Sequence, residues 1–200
     1  MKVQKGNFGY IRAQKKKRVL VTIVLFAIPL MIFFTGLAIT KTRLNLFTFV
    51  AVMGCLPASK SAVGMILMLM QKPMEEGTYR KIEDHRGSLE VAYELTVTAY
   101  EKNTQIDSIA VCANTVIGYT KSPKADLPFA EKHIEKILKG NGYKVNVKIF
   151  RELKPYLERL DSLNEHQGQL REGISFTPDE RYPDLTREAL IKHTILAISL

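Results

Sequence analysis

Residues 19–40 read VLVTIVLFAIPLMIFFTGLAIT, 22 positions without one charged side chain. A helix rises about 1.5 Å per residue, so a run of about 20 apolar residues reaches across the hydrocarbon core of a bilayer. After the polar break Lys41-Thr42-Arg43 comes LNLFTFVAVMGCLPASKSAVGMILMLMQ, apolar except for Lys60 and a few small polar groups. Together the two runs predict a transmembrane helical hairpin over residues 19–71. Everything else in the chain is read relative to it.

The net charge of +9 suggests a nucleic-acid ligand until it is divided by position. Residues 1–74 hold 11 Lys or Arg and no acid, whereas residues 75–200 hold 18 Lys or Arg and all 20 acids, a net of −2. The basicity therefore belongs to the anchor rather than to the polar domain. Seven of these cations, Lys2, Lys5, Arg12, Lys15, Lys16, Lys17 and Arg18, form a basic tail over residues 1–18, against Lys41 and Arg43 in the hairpin turn. Cytoplasmic flanks carry excess Lys and Arg, so the N-terminus is expected in the cytoplasm and a two-span hairpin returns the chain there. The expected location is the plasma membrane, with lipid as one partner and the tail cations near anionic headgroups. A cleaved signal peptide is disfavoured, because the apolar region is too long, lacks a clear A-x-A site and is followed at once by a second apolar run.

The second run leaves two alternatives. One is a single helix that lets Lys60 snorkel to the cytoplasmic edge. The other is a span ended near Cys55-Leu56-Pro57, followed by an interfacial helix over residues 61–70. Gly54, Ala58 and Ala62 recur every four residues, a small-residue row that admits a second helix closely, from this chain or from another copy. Lys60 is an ionisable group in an apolar run and therefore a candidate for contact with a substrate or headgroup. Pro29 in the first run removes one backbone hydrogen bond and favours a kink. Cys55 and Cys112 have no framework spacing, which fits a reduced cytosolic domain.

Residues 72–200 predict a cytosolic α/β domain in the order αβββαβ, followed by two helices. Residues 74–85 read as a helix stopped by Gly87. Leu89, Val91, Tyr93, Leu95, Val97 and Ala99 alternate with Glu90, Glu94, Thr96 and Thr98, so a strand with one apolar face is expected. Residues 102–105 are expected to turn, and IDSIAVCA and TVIGYT to form two short strands about Asn114. Asp126 caps a helix with Ala130, Ile134, Ile137 and Leu138 on one stripe, stopped by Gly140-Asn141-Gly142. YKVNVKIF is a strand and residues 152–164 a helix facing inward through Leu153, Tyr156, Leu157 and Leu160. Residues 168–183 are expected to be a loop. Thr186 caps a last helix, too short to cross a membrane and suited to the domain core.

No P-loop, dinucleotide, serine-hydrolase or zinc-protease motif is present, and no cofactor or metal is expected. His85, His133, His166 and His193 are scattered. Glu131, Lys132, Glu135, Lys136 and Lys139 suit a solvated helix face with four-residue ion pairs. The order helix, three strands, helix, strand resembles the core of the restriction-endonuclease-like nucleases, including their nuclease-related-domain branch, over residues 74–150. In that family an Asp begins the second strand and a Glu-x-Lys lies on the third, together holding a divalent metal beside the scissile phosphate. Asp107 stands where that Asp would be, which makes it the one catalytic candidate. Gly118 and Thr120 fall where the Glu and Lys would stand, and Lys121 is one residue out of register, facing the other side. Hard cations need several oxygen ligands, so the resemblance implies a non-catalytic relative.

Two functions are therefore expected to compete. One is a membrane-anchored, non-catalytic interaction domain whose partner is a protein or its own copy. The other is a nuclease-like domain that binds or cuts nucleic acid, using Lys121, Lys124, Lys132, Lys136, Lys139, Lys144 and Lys148 as its basic surface. The domain's net −2 disfavours nucleic acid. Two spans leave little room for a transport pathway.

Overall fold

A computed structural model describes residues 3–99, 102–174, 176 and 182–199. The chain divides into two compact units, Ile11–Pro73 and the pair of segments Met1–Tyr10 and Met74–Leu200. The first contains helices α1 (Tyr10–Thr40) and α2 (Leu46–Met70), both long and apolar enough to cross a membrane by length and composition. The boundary expected at residue 18 falls inside α1, because residues 10–18 already form its first turns. Residues 3–9 belong with the second unit rather than to a free tail.

In the first unit the second apolar run is one continuous helix, with Pro57 inside it as Pro29 is inside α1. Asn45 starts α2 by accepting from the Thr48 N–H at 2.9 Å, the side-chain cap that satisfies a free helix-end donor. The two helices pack antiparallel: Lys15 Nζ donates to the Leu69 carbonyl at 3.0 Å, and Thr22 and Ser61 share a hydroxyl hydrogen bond of 2.8 Å. Nearer the turn, a Cβ on Gly36 would lie 2.3 Å from Phe47 Cβ, so only glycine fits that approach.

The second unit is a four-stranded sheet in the order β1 (Glu90–Ala99), β2 (Lys102–Cys112), β3 (Thr115–Tyr119), β4 (Asn146–Phe150). The first three strands are antiparallel neighbours, and β4 joins β3 in parallel through the crossover helix α4 (Leu127–Gly140), as a parallel connection requires. The residues expected to turn at 102–105 are instead the start of β2, paired with the end of β1 as far as Ala99↔Lys102. Helices α3 (Glu76–Arg86), α5 (Leu153–Glu165), α6 (Gln167–Arg171) and α7 (Arg187–Ala197) complete the unit. Three helices follow β4, not two, because the expected loop at 168–183 begins with the short α6; its positions 175 and 177–181 lie outside the described residues.

Each face of the sheet has its own core. Ile109, Val111, Val116, Val147 and Ile149 pack with Ile134 and Leu138 of α4 and Ile191 and Ile195 of α7. Ala110, Cys112, Ile117 and Tyr119 pack on the opposite face with Ile82 of α3 and Tyr156, Leu160 and Leu163 of α5. The single apolar face expected for β1 is not what forms. Val91 and Tyr93 point to the α3/α5 layer, whereas Leu95 and Val97 point to the α4/α7 layer. The phase changes at Glu94, which adopts φ +55°. Tyr93 pairs with Ser108 and Leu95 with Ile106, leaving Glu94 and Asp107 between paired positions of the ladder. Such an irregularity re-aims side chains on both sides of it.

An open sheet leaves two rows of unpaired backbone groups. At the β1 edge, the Tyr93 N–H donates to the Gly6 carbonyl at 2.8 Å and the Thr98 N–H to the Ile198 carbonyl at 3.3 Å. Phe8 stacks on Tyr79 at 4.1 Å, and Lys5 Nζ donates to the Ser199 carbonyl, so segments from both ends of the chain cover this edge. At the β4 edge, side chains take the place of a strand. Glu135 accepts from the Val147 N–H at 3.0 Å and Glu131 from the Ile149 N–H at 2.8 Å.

Losing either carboxylate strands a backbone donor, at about 1–3 kcal/mol where the group stays dry. We expect Glu131→Ala and Glu135→Ala each to accelerate hydrogen exchange of the Ile149 or Val147 amide specifically, with Glu→Gln at the same positions close to the parent protein. Equal protection in the Ala variants contradicts the edge role.

Candidate functional site

The small-residue row on α2 faces α1 of the same chain. Ala58 is fully buried, a Cβ on Gly54 would come within 3.0 Å of Pro29 Cγ, and Ala62 is half-buried beside the Thr22–Ser61 hydrogen bond. Lys60 points outward and is exposed. Also outward are Leu20, Met31, Phe34, Ile39, Phe49 and Leu56, each more than 60 % exposed. A contiguous apolar surface of this kind is costly in water.

Asp107 lies in the middle of the β1/β2 irregularity and is 8 % exposed. Its carboxylate accepts from the Lys121 N–H at 2.6 Å. Across the ladder, Glu94 accepts from the Met74 N–H at 3.0 Å, and Glu75 holds the Lys121 ammonium at 2.7 Å. Burial, reinforced by the neighbouring Glu94 and Glu75 charges, raises the Asp107 pKa against the lowering effect of its backbone hydrogen bond and Lys121. The exposed Glu75 carboxyl is held below its usual range by its hydrogen bond to Lys121.

The shifted phase also changes which residues of β3 share a side with Asp107. Gly118 packs toward Ile149, Ile106 and Ile109, in the α4/α7 layer. Tyr119 lies in the α3/α5 layer, where the Asp107 charge, after burial itself, raises its pKa. Beyond β3 the Lys121 backbone N–H reaches Asp107, while its ammonium goes to Glu75. The positions expected to hold Glu and Lys are Gly118 and Thr120, and Thr120 donates to the Gln105 carbonyl. Among the described residues, no three His, Cys, Asp or Glu side chains converge as a metal site.

The histidines are spread through the unit. His85 pairs with Asp161 at 2.7 Å, His133 stacks on Phe129, His166 bonds the Ser162 carbonyl and His193 sits against Tyr182.

The third feature lies around α4 and the start of β4. Lys132, Lys136 and Lys139 project from one face of the helix, and Lys144 follows the turn at Gly142, where φ is +86°. With Asn114 and Asn146 they line an open groove of about 710 Å³. Among the described residues the ion pairs expected along this helix do not form as such, because Glu135 and Glu131 turn to the β4 amides; Lys148 lies near one of them, 3.6 Å from Glu131. Charge in the domain is divided accordingly. Residues 121–154 carry 9 Lys or Arg against 4 acids, while 75–120 and 155–200 carry 9 against 16. The lysine positions were visible in the sequence; their release from carboxylate partners required the sheet edge.

No protein-family model, curated protein or solved structure matches this chain.

The geometry at Asp107 makes its charge expendable and its acceptor necessary. A raised folded pKa means that the ionised form is the less stable one. Its contribution is full below the ordinary value of 3.8 and is lost as pH rises through the elevated folded value. Asp107→Asn keeps an acceptor for the Lys121 N–H, so its melting temperature at pH 7 should equal or exceed the parent's. Asp107→Ala should lose about 1–3 kcal/mol. Thermal unfolding of the full chain in nonionic detergent, followed by circular dichroism, separates these outcomes. An Asn variant as weak as the Ala variant would show that the charge itself is needed.

Proposed function

We propose that this chain is a membrane-anchored protein whose α/β unit is a non-catalytic interaction module held at the cytoplasmic face of the plasma membrane. One observation carries the reading. Residues 1–10 and 74–200 belong to one folded unit, so the apolar helix pair leaves that unit and returns to it. A folded unit cannot straddle a bilayer, which favours two crossings with both flanks on one side. The seven cations before residue 19 favour the cytoplasm for that side. The exposed apolar side chains of α1 and α2 support lipid as their surroundings. For the α/β unit, Asp107 and Glu94 are engaged with backbone amides, which favours a structural task for both carboxylates. A protein or a second copy is the partner class proposed for the unit.

A nuclease-like reading keeps one specific observation in its favour. The element order α3-β1-β2-β3-α4-β4 is retained, and Asp107 sits beside the end of β3, where it accepts from the Lys121 N–H. With Gly118 where a carboxylate is needed, we expect no magnesium-dependent cleavage of duplex or single-stranded DNA or RNA.

Reporter fusions test the membrane arrangement. A reporter after residue 42 should register outside the cytoplasm and one after residue 200 inside it, and alkaline carbonate should leave the chain in the membrane fraction. Replacing Lys41 and Arg43 by Ala should change none of this. A C-terminal reporter found outside, or release by carbonate, contradicts the proposal.

A further inference from the structure

We propose that the α4/β4 groove is a binding site for a polyphosphorylated anion, either free or as a phosphorylated lipid headgroup. The inference rests on the α/β unit alone and goes beyond the anchoring role. Lys132, Lys136 and Lys139 recur at four- and three-residue spacing on α4. Like charges so spaced destabilise a helix by a few tenths of a kcal/mol per pair. The one carboxylate in the groove, Glu135, is committed to the Val147 amide and does not relieve them. Lys144 brings a fourth ammonium from beyond the turn, and none of the four has a carboxylate ion-pair partner among the described residues. Empty, the groove holds uncompensated charge on a domain that is otherwise acidic.

The chemistry of the lining selects the ligand. Four lysines supply compact, mobile charges that suit a flexible anion with charge on several phosphates, whereas planar carboxylate recognition favours the arginine fork. The side-chain amides of Asn114 and Asn146 add neutral donors at one end; Asn114 is held by Arg187 at 2.6 Å, and its carbonyl receives the Asn146 N–H at 2.8 Å. A volume of about 710 Å³ suits one small ligand. Bases need an open aromatic face to stack on. Tyr143, the nearby aromatic, is half-buried and covered by the Arg187 guanidinium 5.7 Å from its ring centre.

The test uses the full chain in nonionic detergent, because the N-terminal cations are then present as an internal comparison. Inorganic tripolyphosphate is titrated by calorimetry, and lysine acetylation is mapped by mass spectrometry with and without it. In a second arm the micelles are doped with phosphatidylinositol bisphosphate, and in a third a short DNA duplex is added. We expect saturable binding of tripolyphosphate or of the headgroup, with protection concentrated at Lys132, Lys136, Lys139 and Lys144. Binding in the lipid arm alone assigns a membrane source, and binding of tripolyphosphate alone a soluble one; both support the site. Replacing the four lysines together by Gln should weaken binding about tenfold or more, since the charge that attracts the anion is removed. Lys81→Gln with Lys154→Gln should leave it unchanged. Protection confined to residues 2–18, binding retained by the quadruple variant, or duplex bound more tightly than either phosphate probe would overturn the proposal.

Discussion

The hydrogen bond from the Tyr93 N–H to the Gly6 carbonyl ties the first residues of the chain to the free edge of β1. A four-stranded sheet that is not closed must protect two edges, and here each is protected differently. Residues 3–9 and the segment after α7 lie along β1, while two carboxylates from α4 reach the amides of β4. Each such bond contributes about 0.5–1.5 kcal/mol net, and its larger effect is to deny the edge to another chain. Because the β1 strap precedes α1 directly, the helix pair is an insertion between the strap and the rest of its unit.

The irregularity opposite Glu94 and Asp107 has a comparable reach. It turns β1 over in mid-strand, so that one strand supplies Val91 and Tyr93 to one core and Leu95 and Val97 to the other. It also drives two carboxylates inward, where the Met74 and Lys121 amides receive them. Both amides belong to segments that enter or leave regular structure, so the buried carboxyl acceptors order the start of α3 and the end of β3. Tyr119 lies in the α3/α5 layer, and the Lys121 N–H closes on Asp107 just past the end of β3.

Much of the architecture was legible in the sequence. The apolar runs are long enough to define α1 and α2 by length alone. Asp126 and Thr186 cap α4 and α7 as their side chains suggest, accepting from the Phe129 and Ala189 amides at 3.3 and 3.2 Å. Gly87, at φ +54°, ends α3 where Asn164 comes too close for any side chain. The flip in β1 was hidden because apolar residues continue at period two on both sides of it; a positive φ at Glu94 leaves no mark in composition. The strap was hidden for a related reason: residues 3–9 have no periodicity of their own and take their shape from β1. The groove needed both kinds of information, since the lysines are visible in the sequence but the diversion of Glu131 and Glu135 to a strand edge is not.

The central claim is that the N-terminal strap is a structural part of the α/β unit and the helix pair an insertion into it. It is tested most directly by replacing residues 11–73 with a flexible Gly/Ser linker and measuring hydrogen exchange with and without residues 1–9. The account predicts a soluble, folded product whose Tyr93 amide is protected, and loss of that protection when the strap is removed. Equal protection in both, or a product that folds only with the helix pair in place, would contradict it.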